Sequence, residues 1–253
     1  MVDYVLLAAA AFFAGFVDSI VGGGGLVQIP ALFSMMPGTA PATLLGTNKL
    51  AGIWGTAVAA RNYMKKSSVR WALLAPAALM AFLFSGGGAY LVTQVPATQL
   101  KKALPLILVA VAIYTFKKKD FGSQDRPVYD GQKEVALAML VAAAIGFYDG
   151  FFGPGTGSFF MFLFVRIFGY DFLRASTVAK VLNVATNASA LCWFGFSGHV
   201  IWVLGGIMAL CQIGGSMWGS KLAIRHGSGF VRKVFLIVVV ILICKTTYDG
   251  FLR

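Results

Sequence analysis

The most constraining feature of this chain is an Asp followed by a run of glycines inside an apolar segment, which occurs twice, 131 residues apart. Gly15-Phe16-Val17-Asp18 leads into Gly22-Gly23-Gly24-Gly25, and Gly146-Phe147-Tyr148-Asp149 leads into Gly153-Pro154-Gly155-Thr156-Gly157. The same offset places Lys49 on Lys180, Val69 on Val200, Trp71 on Trp202, Gly88 on Gly219, Leu91 on Leu222 and Lys102 on Lys233 without a gap. The chain is an internal duplication. Glycine breaks and ionisable side chains at membrane depth, held in register across two repeats, are what a secondary transporter uses to build a substrate site at its midplane.

Composition supports the membrane setting. Of 253 residues, 58% are hydrophobic and 12% charged, and the mean hydropathy of +0.81 leaves too little polar surface to cover a soluble globule. Apolar stretches long enough for a spanning helix start near Tyr4, Thr39, Trp71, Lys101, Val135, Phe172, Ile201 and Val231. They are continuously apolar and rich in Gly and Ala, which fits packed helices and not the alternating polarity of barrel strands. The expected fold is therefore an all-α polytopic membrane protein of two repeats, residues 1–116 and 135–253, joined by a linker at 117–134.

The N-terminal apolar run has Asp3 and no Lys or Arg before it, and it is duplicated mid-chain, so it reads as mature structure and not as a cleaved signal. The cysteines Cys192, Cys211 and Cys244 lie in apolar spans without metal or redox spacing and read as buried small hydrophobes. The net charge of +12 sits in short loops, which points to membrane orientation and away from nucleic acid. No cofactor or metal is expected, a lipid bilayer is the surrounding partner, and homo-oligomerisation stays open.

Charge selects the arrangement of the repeats. With four simple crossings per half, Arg61, Lys65, Lys66, Arg70, Lys117, Lys118, Lys119, Arg126, Lys133, Lys245 and Arg253 fall on one side, 11 residues, against 8 on the other. If each glycine run turns its segment back, each half makes an odd number of crossings and the repeats invert. One side then collects 15 basic residues, gaining Arg166, Arg174, Lys221, Arg225, Arg232 and Lys233, and the other keeps Lys101, Lys102, Lys245 and Arg253. The positive-inside rule favours inverted repeats, each opened by a glycine-interrupted helix, with both termini outside the cytoplasm and the linker inside.

The ionisable residues well within apolar spans are Asp18, Lys49, Asp149 and Lys180. Each costs about 2.5–3.5 kcal/mol at a helix centre, so they pair or line a polar cavity. Two internal salt bridges would be a purely structural use. Nearby donors favour a binding site for a small anion: Thr47 and Asn48 before Lys49, and Asn183 and Asn187 after Lys180. The breaks at Gly23, Gly24 and Gly25 and at Gly155 start half-helices near Leu26 and Ser158, whose free N–H groups attract anions. Gln28, Thr156 and Ser158 add donors, or simply cap the breaks, while Asp18 and Asp149 are candidate proton carriers. The glycines at 86–88 and 205–206 carry no charge nearby and read as packing positions.

The segments AGFVDSIVGGGGLVQIPAL, LLGTNKL, IGFYDGFFGPGTGSFF and AKVLNVATNASAL resemble the TauE/SafE family of sulfite exporters, nearer its widespread bacterial branch. The resemblance covers nearly the whole chain. It implies a multi-pass transporter of the bacterial inner membrane that moves small sulfur-containing anions outward, such as sulfite, sulfoacetate or another organosulfonate. Competing readings are a divalent-cation exporter using Asp18 and Asp149, and a membrane thiol or sulfur-transfer protein using its cysteines. A hydrolase is weaker, since His199 and His226 lie at span ends without a nucleophile.

Overall fold

A computed structural model describes residues 2–68, 70–100, 102–103, 106, 110 and 124–251. The protein is an all-α polytopic membrane protein. Its helices are α1 (Val2–Val21), α2 (Gly24–Met35), α3 (Pro41–Met64), α4 (Trp71–Gln94), α5 (Gly131–Phe151), α6 (Thr156–Arg166), α7 (Phe172–Phe196) and α8 (Trp202–Phe251). The 131-residue offset carries the starts of α3 and α4 onto those of α7 and α8. Helix α8 is kinked at Gly227, where φ is 69°. The apolar stretch from Lys101 lies largely outside the described residues, as do Lys117, Lys118, Lys119 and Asp120 of the linker.

Helices α1, α4 and α5 are long and apolar enough to cross a membrane. Helices α3 and α7 have the length, 24 and 25 residues, but their hydropathy is diluted by the Lys, Asn and Thr side chains they carry inward. Lipid-facing apolar residues such as Phe13, Leu140, Val203 and Leu210 are exposed on the outside, the inverse of a soluble fold's surface.

Each glycine run ends a long helix and starts a short one. Helix α2 has 12 residues and α6 has 11, so each reaches only about 16–18 Å and falls short of a bilayer core. Leu32 of α2 packs in one cluster with Leu7 and Ala11 of α1. Phe164 and Val165 of α6 pack likewise with Ala138, Val141 and Ala142 of α5. The broken segments are therefore hairpins that fold back on themselves, not pairs of short crossings. The half-helices begin at Gly24 and Thr156, two residues before the expected Leu26 and Ser158.

The two breaks touch each other. Ser158 N–H donates to the Gly22 carbonyl at 3.2 Å, and Ser158 Oγ donates to the Val21 carbonyl. Gly22 has φ 78° and lies against the backbone of Gly157, so any side chain there is both strained and blocked. Around this crossing the packing repeats with the halves exchanged: Gly15 rests on the main chain of Gln212, and its counterpart Gly146 rests on the main chain of Ala81. Such approaches need small residues.

Two clusters show which ends of the helices meet. Arg70, before α4, and Arg174, at the start of α7, both face buried Glu134 of α5, with the Arg70 contact at 2.7 Å and the Arg174 contact at 3.8 Å. At the other end, Thr43 of α3 meets His199 after α7, Oγ1 to Nδ1 at 3.2 Å, and Ile201 N–H donates to Thr47 Oγ1. The start of α3 thus lies by the end of α7. The linker packs on the loop after α6 through Arg126 N–H to the Gly169 carbonyl and Val128 N–H to that of Phe168. Tyr170 donates to Glu134 and lies under the Arg174 guanidinium. Burial, then the bond to Glu134, pushes the Tyr170 phenol well above its ordinary pKa.

The expected packing glycines divide. A side chain on Gly88 would strike the Phe147 carbonyl and one on Gly205 would press on Leu50, whereas Gly87 and Gly206 face open space. Cys192 is exposed and Cys211 half-buried, so the expected burial fails for Cys192; the side chain of Cys244 lies outside those described. Gly88→Ala should abolish the monodisperse peak in size-exclusion chromatography, while Gly87→Ala, one residue away, should leave it unchanged.

Candidate functional site

The four charges at membrane depth form two crossed ion pairs. Lys49 Nζ lies 2.6 Å from Asp149 Oδ2, and Lys180 Nζ lies 2.9 Å from Asp18 Oδ2. All four residues are buried. Each lysine therefore pairs with the acid of the other repeat, and the offset converts one pair into the other. The acids sit near the ends of α1 and α5, just ahead of the breaks, and the lysines occupy equivalent positions in α3 and α7.

The pairs are alike in position and unlike in their surroundings. Asp18 accepts from Gly24 N–H at 3.3 Å and Thr56 Oγ1 at 3.1 Å as well as from Lys180. Lys180 also donates to the Asp18 main-chain carbonyl, so two of its three N–H groups are engaged. For Asp149 the side-chain donor among the described residues is Lys49 alone. Among the described residues Lys49 in turn spends one N–H, on Asp149, and two have no acceptor. The difference traces to the repeats' own sequences: Thr56 aligns with Asn187, which instead donates to Asn183 Oδ1 at 2.7 Å.

Lys49 belongs to the wall of a small polar cavity at the crossing of the breaks, of about 30 Å³. This holds one or two waters. Asp18, Gly24, Gly25, Asn48, Lys49, Asp149, Thr156, Asn183 and Asn187 all line it. Gly23 and Gly155 cap α2 and α6 without a side-chain acceptor of their own; Gly24 N–H is taken by Asp18 Oδ1 and Ser158 N–H by the Gly22 carbonyl, so the first turns bring their positive dipole ends to the cavity with part of their N–H groups already bonded.

Other expected residues lie apart from the wall. Lys180 stands behind Asp18. Thr47 donates to the Thr43 carbonyl and accepts from Ile201 N–H, tying α3 to α8. Gln28 accepts from Gln212 Nε2, Ser158 ties the two breaks together, Gly23 is a cap, and Gly155 supplies a left-handed turn with φ 77°.

Three wall residues escaped the sequence reading, Gly52, Thr56 and Gln212, while Gly22 and Gly153 were read there only as parts of the glycine breaks. Gly52 and Thr56 were recoverable, since they align with Asn183 and Asn187 and fall on the Lys49 face of α3. Gln212 aligns with Ala81 and carried no such signal.

A multi-helix membrane protein with a charged cavity where two broken helices cross has the makings of a membrane transporter. The chain belongs to the sulfite exporter TauE/SafE family, whose model matches residues 7–246. It is 39% identical over 243 residues to the probable membrane transporter protein ORF9 of Sinorhizobium sp, covering 96% of this chain and 92% of the relative. It is 36% identical over 255 residues to the probable membrane transporter protein YfcA of Escherichia coli K12, covering 99% and 93%. A probable membrane transporter protein of Haemophilus influenzae is 34% identical over 248 residues, covering 96% and 94%. No solved structure matches significantly.

Removing one partner of a buried pair leaves an uncompensated charge and costs about 3–5 kcal/mol. Lys180→Ala should therefore lower the melting temperature markedly, and adding Asp18→Asn should restore much of the loss, as measured by differential scanning fluorimetry in detergent.

Proposed function

We propose that this protein is a secondary transporter of small anions, sulfite or a small organosulfonate, working by alternating access across the bacterial inner membrane. The observation that carries the proposal is Lys49: a buried ammonium whose one acceptor among the described residues is Asp149, lining a polar cavity together with Gly24, Gly25 and Thr156 from the first turns of two half-helices. That is an anion's environment. The sulfur anion itself comes from the family's description.

The two repeats are inverted with respect to each other, with both termini outside the cytoplasm. Support comes from the meeting of Arg70 with Arg174 at Glu134, and of Lys65 and Lys66 with Lys221 and Arg225 in one cleft. Parallel repeats would put these groups on opposite sides of the membrane, whereas inverted repeats gather them on one basic face.

The cycle follows from charge balance. A proton on Asp149 undoes a single bond and frees Lys49; a singly charged anion, such as hydrogen sulfite or a monosulfonate, then takes the carboxylate's place on the ammonium, and the net charge of the site is unchanged. The Lys180–Asp18 pair, held by several donors, stays closed and keeps the halves registered. The cavity is too small for a four-atom oxyanion with its contacts, so loading requires the halves to part. Flux then runs down the combined gradient of anion and proton. A cation reading is less supported, because each carboxylate already has a lysine and the described residues contain no group of three or more His, Cys, Asp or Glu placed for a metal.

Purified protein in liposomes should show saturable flux of sulfite or a small sulfonate, accelerated when the loaded side is acidic. Lys49→Ala should abolish flux in protein that remains folded, and Asp149→Asn should remove its dependence on the pH gradient. Normal flux in Lys49→Ala overturns the site. A tag at Gln124 should be shielded from impermeant reagents in intact cells; labelling from outside contradicts the proposed orientation.

A further inference from the structure

We infer that the cleft between the end of α3 and the middle of α8 is a binding site for the phosphate headgroup of an anionic phospholipid. Lys65, Lys66, Lys221 and Arg225 line this cleft, of about 380 Å³, with Asn62 and Ile224. Its floor is closed by Asn62 Nδ2 donating to Ser220 Oγ at 2.8 Å. All four basic side chains are exposed, and none forms an ion pair among the described residues. Their neighbours at the same end behave differently, since Arg70 and Arg174 are neutralised by Glu134 and Asp125. Four uncompensated cations converging on one concave surface call for a multiply hydrogen-bonding anion.

The duplicated fold contains an internal control. Under the offset, Asn62, Lys65, Lys221 and Arg225 become Trp193, Phe196, Tyr90 and Gln94. There the equivalent cleft is occupied by an edge-to-face contact of Tyr90 and Trp193 with ring centroids 5.0 Å apart, and Trp193 Nε1 donates to Thr93. The backbone geometry therefore does not demand charge at this place; only the copy on the basic face carries it.

A lipid is favoured over a free anion by what continues from the cleft. Trp54 lies on the Lys65 face of α3 and Trp218 on the Arg225 face of α8 by helical spacing, and both are exposed, 54% and 65%. They lie roughly 10–16 Å along the helices from the cations, where acyl chains would run below a bound headgroup. Basic pockets between membrane helices on the cytoplasmic side recognise anionic headgroups in this way.

Native mass spectrometry of the detergent-solubilised protein with added phosphatidylglycerol or phosphatidylcholine tests the site. Wild type should retain phosphatidylglycerol at least roughly tenfold better, since each basic side chain near an anionic headgroup strengthens binding several-fold. Lys65→Gln/Lys66→Gln/Lys221→Gln/Arg225→Gln should lose that preference, while Arg126→Gln/Lys133→Gln/Arg166→Gln should keep it. If the quadruple variant is not recovered folded, Lys65→Gln/Lys221→Gln should show a reduced preference. An unchanged preference in the cleft variants, or displacement of the lipid by equimolar inorganic phosphate, overturns the assignment.

Discussion

The structure depends on two buried salt bridges, each made between the repeats. Four ionised groups at membrane depth are tolerable only when paired and hydrogen-bonded. By pairing Lys49 with Asp149 and Lys180 with Asp18, the chain makes neutrality a property of the assembled halves. Neither repeat alone can satisfy its own charges. The glycine breaks serve the same end: they bring the acids at the ends of α1 and α5 to the lysines of α7 and α3, and they let the two backbones touch at Gly22 and Gly157.

Duplication supplies the symmetry, and divergence within it makes the two ion pairs unequal. Thr56 and Gly24 reinforce Asp18, whereas Asn187, at the position matching Thr56, bonds to Asn183 and leaves Asp149 to Lys49. One pair is held by several donors and the other, among the described residues, by a single bond. The same divergence shows at the ends of the bundle, where four cations on one face correspond to aromatic and neutral residues on the other.

Much of this was legible before the fold. The offset of 131 residues located the equivalent helices, and the rarity of charge in apolar spans singled out Asp18, Lys49, Asp149 and Lys180. What was hidden is three-dimensional. Sequence spacing leaves open which acid meets which lysine, because both partners of each pair come from different repeats, 100 and 162 residues apart. The hairpin form of the broken helices rests on packing such as Leu32 against Leu7. Ser158 and Thr47 read as ligands because hydroxyls offer donors, yet the backbone carbonyls and N–H groups beside them, exposed by the breaks and helix ends, claimed them first.

The central claim is that the cavity at the crossing receives an anion on Lys49 and not on Lys180. Equilibrium binding of radiolabelled sulfite to the purified protein, compared with Lys49→Gln and Lys180→Gln variants shown to be folded by their melting transitions, tests it most directly. Loss of binding in Lys49→Gln with retained, saturable binding in Lys180→Gln is the expected result. Equal binding by wild type and Lys49→Gln would contradict it.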